Sequence, residues 1–332
     1  MKKIVVAKPG GFDNLKVIEV ADPTPKHGEV LVRWRATSLN YHDLLVANGS
    51  IPVEENRAPM SDGAGEIVAL GEGVSGWRIG DKVMSLFFPK WADGQATAAK
   101  TGSISGETSD GFAQEMSCVS HDSITHMPQG FSFSEAATLP CAALTAWRGL
   151  VVAGQIKAGD KVLIQGSGGM SLFGLQFAKR FGAYVYATTS SEEKAHKLME
   201  MGADKVINYT EDERWGRTVL KDSGGVDHVL DVGGPVTLEH SVEAVGFGGK
   251  ITLIGILGGT KGAFILPKLF FKHASMHGIA VGSRTMQEDM VRALNVDPIK
   301  PVIDRTFAFD ELADAFRYQQ SGAHFGKIVV EI

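Results

Sequence analysis

The sequence predicts an α/β protein with two domains, one rich in β-strands and one in which helices alternate with the strands of a parallel sheet. Residues 1 to about 125 form short apolar or alternating runs separated by turn residues, which is typical of all-β structure. From about residue 134, buried apolar runs alternate with helical patterns, which indicates a parallel sheet with right-handed crossovers. A length of 332 residues is long for a single core and therefore also favours two domains.

The β-rich part contains five clear strand signals with glycine-containing turns between them. The predicted strands are Ile4–Ala7, Lys16–Val20, Val30–Ala36, Glu66–Leu70 and Lys82–Leu86. Residues 89–111 are rich in Gly, Ala, Ser and Thr and have few apolar anchors, so we expect a mobile loop over the β-rich domain. Whether this loop also serves as a lid over a site is left open.

The second part begins with a predicted helix over Ser134–Val152, capped by Ser134. Further helices are predicted around Phe173, Phe177 and Phe181, and at Glu192–Met201, Glu211–Lys221 and Val236–Val245. The predicted strands are Val162–Gln165, Tyr184–Ala187, Lys205–Ile207, Asp227–Asp231 and Lys250–Ile254. This alternation is the pattern of a doubly wound parallel sheet.

The C-terminal part contains an apolar run, residues 264–271, which could be either core or a dimer contact because lysines bound it. A strand at His277–Val281, an amphipathic helix at Asp310–Gln320 and a last strand at Lys327–Ile332 follow. We expect this tail to return to the first domain.

A glycine turn joins the first strand of the α/β part to its first helix. Gly166 and Gly168 match the first two positions of a G-x-G-x-x-G turn, whereas Ser171 stands at the third. Because the turn opens a helix, its backbone N–H groups can hold a phosphate, and the surrounding βαβ pattern predicts a dinucleotide site. The predicted cofactor-binding residues here are Gly166, Ser167, Gly168, Gly169 and Met170. Gly174 would let the helix lie close to its strand, and an ordinary glycine-rich loop is the alternative.

Composition and charge exclude several kinds of partner. A net charge of −5 argues against nucleic acid or an anionic membrane surface as the main partner. Two cysteines, Cys118 and Cys141, provide no disulfide framework and fit a reducing cytoplasm. The apolar run before Lys8 is too short for a signal peptide, and no run reaches the length of a membrane span.

Several motifs resemble those of the medium-chain dehydrogenase/reductase superfamily over nearly the whole chain. They are Asn40-Tyr41-His42-Asp43, Ser61 to Glu66, Gly80 to Val83, Leu139 to Ala142, the glycine turn and Gly202-Ala203-Asp204. The resemblance implies a GroES-like β-barrel catalytic domain at residues 1–126 and 284–332, and a Rossmann dinucleotide-binding domain at residues 127–283. It also implies hydride transfer between a nicotinamide and a carbonyl, alcohol or activated alkene, and a homodimer.

The resemblance includes a departure at the zinc ligands. Zinc members of the superfamily carry Cys, His and Cys where this chain has Asn40, Ser61 and Cys141. Asn and Ser do not hold Zn²⁺ as thiolate and imidazole do. Residues 89–111, where such enzymes carry a four-cysteine structural site, contain no Cys. We therefore expect no metal, as in the quinone-oxidoreductase-like branch.

The end of the second βαβ strand predicts the kind of nicotinamide cofactor. NAD-specific units carry an acid there, but this chain has Thr189, followed by Ser190. With Lys194 and Tyr209, these residues resemble members that prefer NADP(H). The alternative is that Ser190 and Glu193 form a capping box and Lys194 is merely solvated. The resemblance further places Thr145, Gly233, Leu257, Gly258, Phe325 and Lys327 at the cofactor, although Lys327 could instead be a surface lysine.

Without zinc, hydride transfer still needs a group that stabilises an oxyanion or enolate, and a proton source. The candidate catalytic residues are Asn40, Tyr41, His42 and Asp62. Asn40 could donate to the substrate oxygen or the nicotinamide ribose, and Tyr41 and His42 carry ionisable protons, with structural packing as the alternative for both. Asp43 is expected to brace the loop, and Cys141 to be a buried small residue rather than a nucleophile.

The sequence thus predicts a cytoplasmic, zinc-independent NADPH oxidoreductase that reduces a quinone, an enone or a related small carbonyl compound. One position weakens the analogy with enoyl reductases, because many reductase relatives have a Tyr where this chain has Ile51. Two alternatives stay open: an alcohol dehydrogenase that oxidises a small alcohol, and a non-catalytic NADP(H)-binding protein.

Overall fold

The computed structural model describes residues 1–332, which fold into two compact units. The first unit comprises residues 1–144 and 281–332, and the second comprises residues 145–280. Residues 127–144, which the sequence analysis assigns to the dinucleotide-binding domain, lie in the first unit. None of the helices has the length and apolar character needed to cross a membrane.

The first unit is built on a seven-stranded sheet. Numbered along the chain, its strands are β3 (Glu29–Ser38), β4 (Ala64–Leu70), β5 (Lys82–Ser85), β6 (Met116–Ser120), β7 (Ile124–His126), β14 (Ile303–Ala308) and β15 (Lys327–Glu331). Two further strands, β1 (Lys2–Val6) and β2 (Leu15–Glu19), form a separate two-stranded sheet. The order is β14-β15-β3-β4-β5-β7, with β6 also on β3. The tail therefore returns to the first unit, as expected. The strand pairing alone does not close this sheet into the barrel that the resemblance implies.

Short helices complete the first unit: α1 (Tyr41–Ala47), α2 (Ala98–Thr101), α3 (Phe133–Ala137), α10 (Arg284–Val296) and α11 (Leu312–Gln320). The long helix predicted over Ser134–Val152 is instead a series of short pieces, with α3, two π-helical turns and α4 (Leu144–Trp147). The predicted cap is wrong by two residues. The Ser132 hydroxyl accepts from the Glu135 N–H at 3.1 Å and the Ser132 N–H donates to the Glu135 carboxylate at 2.9 Å, whereas Ser134 donates to Glu331.

The second unit is a six-stranded parallel sheet in the order β10-β9-β8-β11-β12-β13. Its elements are β8 (Lys161–Gln165), α5 (Gly169–Arg180), β9 (Tyr184–Thr189), α6 (Glu192–Glu200), β10 (Lys205–Asn208), α7 (Trp215–Ser223), β11 (Val226–Asp231), α8 (Leu238–Ala244), β12 (Val245–Leu253), α9 (Leu266–Phe270) and β13 (Ser275–Gly278). The order reverses between β8 and β11, which is the crevice where doubly wound sheets bind ligands. Gly174 packs α5 onto this sheet as predicted, since a Cβ there would lie 2.7 Å from Leu230.

The segment 89–111, predicted as a mobile loop with few apolar anchors, is held at several points by hydrogen bonds, and its mobility stays a prediction. Trp91 is 1 % exposed, and its indole N–H donates to the carbonyl oxygens of Asp93 and Gly94 at 3.1 Å. The start of α10 holds the same stretch, because the N–H of Arg284 donates to the Trp91 carbonyl at 2.9 Å. Further along, the Ser105 hydroxyl donates to the Leu86 carbonyl at 3.1 Å. One tryptophan and backbone hydrogen bonds thus replace the apolar anchors that the composition lacks.

Candidate active site and cofactor site

The glycine turn after β8 has the geometry of an anion-binding helix start. Gly166 has φ = 72°, and Gly168 is the N-cap of α5 without a side chain that caps its N–H groups. A Cβ built on either glycine would meet nothing within 4 Å, so the backbone is open on that side. The Ser171 hydroxyl donates to the Gln165 carbonyl at 2.6 Å and thereby ties the helix to the end of β8. The turn therefore fits a pyrophosphate, and Ser171 supports the turn rather than damaging it.

A second turn, which follows β11, is held by hydrogen bonds to the side chains of Asp231 and Gln165. Asp231 accepts from the Gly234 N–H at 2.8 Å and from the Ser241 hydroxyl at 2.6 Å. The Gln165 side-chain oxygen accepts from the Val232 N–H at 3.2 Å. The Gly258 N–H donates to the Gly233 carbonyl at 2.9 Å, so the predicted residues Gly233, Leu257 and Gly258 do come together. Asp231 stands where the sequence predicts the strand end beneath the cofactor, whereas nothing in the sequence pattern pointed to Gln165.

The end of β9 contains no acid. Thr189 is buried, Ser190 and Tyr209 are exposed, and the Tyr209 N–H donates to the Thr189 carbonyl at 2.9 Å. The proposed capping by Ser190 is wrong, because Ser191 caps α6 by accepting from the Lys194 N–H at 3.3 Å. Of the other predicted cofactor residues, Thr145 and Phe325 are buried, and Ser167, Gly169 and Met170 follow Gly166 into α5.

In the first unit, Asp43 braces the start of α1, as expected. Its carboxylate accepts from the Asn40 N–H at 2.9 Å and from the Ser61 N–H and hydroxyl at 2.8 and 3.1 Å. Asp43 is fully buried, and these bonds fix the segment before β4 against the first turn of α1. The Ser61 hydroxyl thus adds one side-chain bond to the backbone bond that holds Asp43.

A buried lysine lies beside this brace. Lys327, only 4 % exposed, donates to the Leu39 carbonyl and to the Asn40 side-chain oxygen at 2.6 Å each, and its ammonium lies 3.7 Å from the Asp62 carboxylate. The Asn40 amide donates to Asp62 at 2.8 Å and to Ser61 at 3.2 Å. The alternative that Lys327 is a surface lysine is therefore wrong. We call Asn40, Asp43, Ser61, Asp62 and Lys327 the polar network.

Asp62 is the unusual member of the polar network. Its burial, opposed by the nearby Lys327 ammonium, raises the pKa of the carboxyl to about 6, and its Oδ1 atom is buried without a hydrogen-bond partner. Asp62 can therefore gain or lose a proton near neutral pH. Burial of the thiol also raises the pKa of Cys141 well above its usual value and keeps it neutral, whereas the residue as a whole is half-buried rather than buried as expected.

The remaining catalytic candidates differ in their surroundings. The His42 Nε2 atom lies 2.7 Å from the Glu107 carboxylate, and Nδ1 lies 3.6 Å from Asp43. Burial opposes the charged form, but these two carboxylates outweigh it and raise the pKa of His42. Tyr41 is 40 % exposed. Three of the four candidates, Asn40, His42 and Asp62, are thus held by carboxylates or the ammonium, and Tyr41 is the one that faces outward.

The donor set does not fit a catalytic zinc. The Asn40 amide and the Ser61 hydroxyl are used in hydrogen bonds with each other and with Asp43 and Asp62. Of the three positions Asn40, Ser61 and Cys141, only Cys141 offers a side chain that zinc favours, whereas a catalytic zinc needs three protein ligands. No group of three or more His, Cys, Asp or Glu side chains in the chain is arranged to hold a metal ion.

Comparison with known proteins decides the family. Residues 169–295 match the zinc-binding dehydrogenase family, and residues 26–129 match the alcohol dehydrogenase GroES-like domain. A zinc-type alcohol dehydrogenase-like protein of Schizosaccharomyces pombe is 41 % identical, over 100 % of this chain and 99 % of the relative. The chain belongs to the medium-chain dehydrogenase/reductase superfamily. It is an oxidoreductase, and the fold class that the sequence predicts is confirmed.

Other members resemble the chain over its full length but carry different names. An acryloyl-coenzyme A reductase of Sulfurisphaera tokodaii is 31 % identical over 100 % of both chains. The crystal structure of a putative alcohol dehydrogenase from Sinorhizobium meliloti superimposes with a TM-score of 0.94 at 36 % identity, covering 100 % of this chain and 98 % of that one. Cofactors vary among such structures: one is of an NAD-dependent alcohol dehydrogenase at 30 % identity, and one is of a 2-octenoyl-CoA carboxylase reductase in complex with NADP at 26 %.

Proposed function

We propose that this oxidoreductase uses NADP(H) and, without a catalytic zinc, reduces a quinone, an enone or a related small carbonyl compound. The observation that carries the proposal is the polar network. The superfamily's zinc ligands are replaced there by an amide and a hydroxyl, and the fixed positive charge beside Asp62 is the Lys327 ammonium at 3.7 Å. Such a site has no Lewis acid to activate an unassisted alcohol, so a substrate that is already electrophilic suits it best.

The preference for NADP(H) is supported by the end of β9. A carboxylate there would repel a 2′-phosphate, whereas the hydroxyls of Thr189 and Ser190 can donate to it and Lys194 adds positive charge. Glu193, in the first turn of α6, is paired with Lys197 at 2.6 Å. The pyrophosphate would be held by the turn from Gly166 to Met170, and the bound cofactor would supply the hydride.

The choice of an activated double bond follows from the charges and proton sources. When a hydride adds to the β-carbon of an enone, the electron pair of the double bond moves to the carbonyl oxygen, and the enolate that forms must take up one proton. Tyr41 has an exposed phenol, and the polar network carries the ammonium of Lys327 and an acid, Asp62, with a pKa of about 6. The full-length likeness to an acryloyl-coenzyme A reductase supports a conjugated substrate.

We also propose that the protein is a cytoplasmic homodimer that contacts its second copy through the apolar run. Four large apolar side chains of this run are exposed: Ile265, Leu266, Phe270 and Phe271. They neighbour β13, which is an edge strand paired only with β12. An exposed apolar patch beside an unpaired edge strand favours a self-complementary contact. Light scattering that shows only the 35.5 kDa monomer would reject this assignment.

A screen of NADPH oxidation tests the proposed reaction. Quinones, enones, enoyl thioesters and aldehydes are mixed with NADPH and the protein, and the reverse reaction is followed with NADP⁺ and small alcohols. The proposal expects turnover with at least one conjugated acceptor and little with unconjugated aldehydes. Fast oxidation of alcohols alone would favour the alcohol dehydrogenase alternative, and tight NADPH binding without any turnover would favour a non-catalytic protein.

A further inference from the structure

Glu107 is a residue to which neither the family motifs nor the proposed reaction assigns a role. Its carboxylate lies 2.7 Å from the His42 ring, and the side chain is 24 % exposed, compared with 18 % for His42. Its sequence surroundings give no sign of function, because it lies in the polar segment 89–111. A charge-assisted contact this short between a half-buried carboxylate and a half-buried imidazole is a specific arrangement rather than a loose surface pair.

The turn that carries Glu107 is itself fixed. The Ile104 carbonyl accepts from the N–H groups of Glu107, Thr108 and Ser109 at 3.1 to 3.2 Å, and the Thr108 hydroxyl accepts from the Ile104 N–H at 2.7 Å. The turn also lies directly on the backbone of Met60, since a Cβ on Gly106 would be 3.0 Å from the Met60 nitrogen. Met60 has φ = 81° and is fully buried. The turn therefore packs on the residue that precedes Ser61 and Asp62.

His42 connects this turn to α1. The imidazole faces Asp43 from its own helix and Glu107 from the turn, and its ring meets the Phe87 ring edge-on at a centroid distance of 5.2 Å. Because both carboxylates favour the imidazolium, they raise the pKa of His42 although burial opposes this. The imidazole thus lies between the 104–109 turn and the carboxylate that braces the polar network.

We propose that Glu107 is a positioning residue of the active site, which holds His42 in place and through it fixes the 104–109 turn against α1 and the polar network. The Asp43 carboxylate lies 3.6 Å from the His42 ring and accepts hydrogen bonds from Asn40 and Ser61. Movement of His42 therefore changes the surroundings of the carboxylate that braces the polar network. The inference rests on the proposed function only in taking the polar network as the reaction site. The effect of Glu107 on the His42 pKa can be measured without any turnover.

The test compares Glu107→Gln with wild type by NMR titration of histidine-labelled protein. The His42 signal is assigned as the one that disappears in His42→Asn. Loss of an opposite charge at hydrogen-bond distance is expected to lower the His42 pKa by about one unit or more. If the protein reduces an acceptor, the alkaline limb of kcat/KM is expected to shift to lower pH by a similar amount, which a purely structural contact would not cause.

Asp93→Asn is the matched control, since Asp93 is an exposed carboxylate of the same segment whose pair with Lys100 spans 3.8 Å. It should leave both the His42 pKa and the pH profile unchanged. An unchanged His42 pKa in Glu107→Gln would overturn the proposal, and so would equal effects of the two variants. If Glu107→Gln does not fold, Glu107→Ala is used, which also removes the charge, and a His42 pKa equal to that of wild type would have the same meaning. A protein without turnover would contradict the proposed function but leave the titration as a valid test.

Discussion

Removing the Lys327 ammonium should destabilise the unliganded protein in a way that depends on pH. In Lys327→Met the side chain keeps its length but loses both 2.6 Å hydrogen bonds and the charge 3.7 Å from Asp62. At pH 5 Asp62, with a pKa of about 6, is mostly protonated, so only the hydrogen bonds are lost. At pH 8 wild-type Asp62 is ionised, and the variant must either protonate it or bury its charge without the ammonium.

The size of the effect follows from linkage. A buried carboxyl with a raised pKa loses its contribution to stability as pH rises from its unfolded pKa through its folded pKa. In wild type that loss is complete near pH 6, whereas in the variant it continues because the pKa of Asp62 rises further without the ammonium. At about 1.4 kcal/mol per pH unit, the gap in unfolding free energy should widen by up to about 3 kcal/mol between pH 5 and pH 8.

Urea denaturation of wild type and Lys327→Met at the two pH values measures this gap. The double variant Lys327→Met/Asp62→Asn is the control, because without the carboxyl its gap to Asp62→Asn should not depend on pH. A gap between wild type and Lys327→Met that stays constant or narrows toward pH 8 would refute the reasoning about the buried pair.

Four further results are expected. NADPH should bind at least about tenfold more tightly than NADH in a fluorescence titration, and equal constants would contradict the interpretation of Thr189 and Ser190. Gly168→Ala should weaken NADPH binding at least about tenfold and change stability by less than about 1 kcal/mol, because its Cβ enters open space. Gly174→Ala should instead cost about 1–3 kcal/mol through its overlap with Leu230 and leave binding nearly unchanged. Tyr41→Phe should lower kcat about 100-fold if the phenol donates the proton, and an unchanged rate and pH profile would indicate solvent as the donor.

The doubly wound sheet and its glycine turn could be predicted because their signals are local. The strand β8, the turn and α5 follow one another within 20 residues (161–180), and the spacing of Phe173 and Phe177 shows which face is buried. The start of a helix is predicted less accurately where two nearby serines can each act as its N-cap. Ser132 and Ser191 cap helices for which the sequence suggested Ser134 and Ser190, because each pair of serines offers two similar hydroxyls.

The polar network could be predicted only in part, because its bonds join residues that are far apart in sequence. The missing zinc ligands were evident from Asn40 and Ser61, but the burial of Lys327 depends on contacts with Leu39 and Asn40, nearly 290 positions earlier. The pairing of His42 with Glu107 spans 65 residues and involves a loop of low apolar content. No periodicity or motif reports such contacts, so the surroundings of the catalytic candidates had to come from the structure.

The metal content of the active protein tests the central claim most directly. Protein prepared with zinc in the medium is dialysed and analysed for bound metal, and NADPH oxidation with the best acceptor is measured before and after chelation. The polar network predicts less than about 0.1 zinc per chain and an unchanged rate. About one zinc per chain, with activity that is lost on chelation and restored by Zn²⁺, would contradict catalysis without zinc.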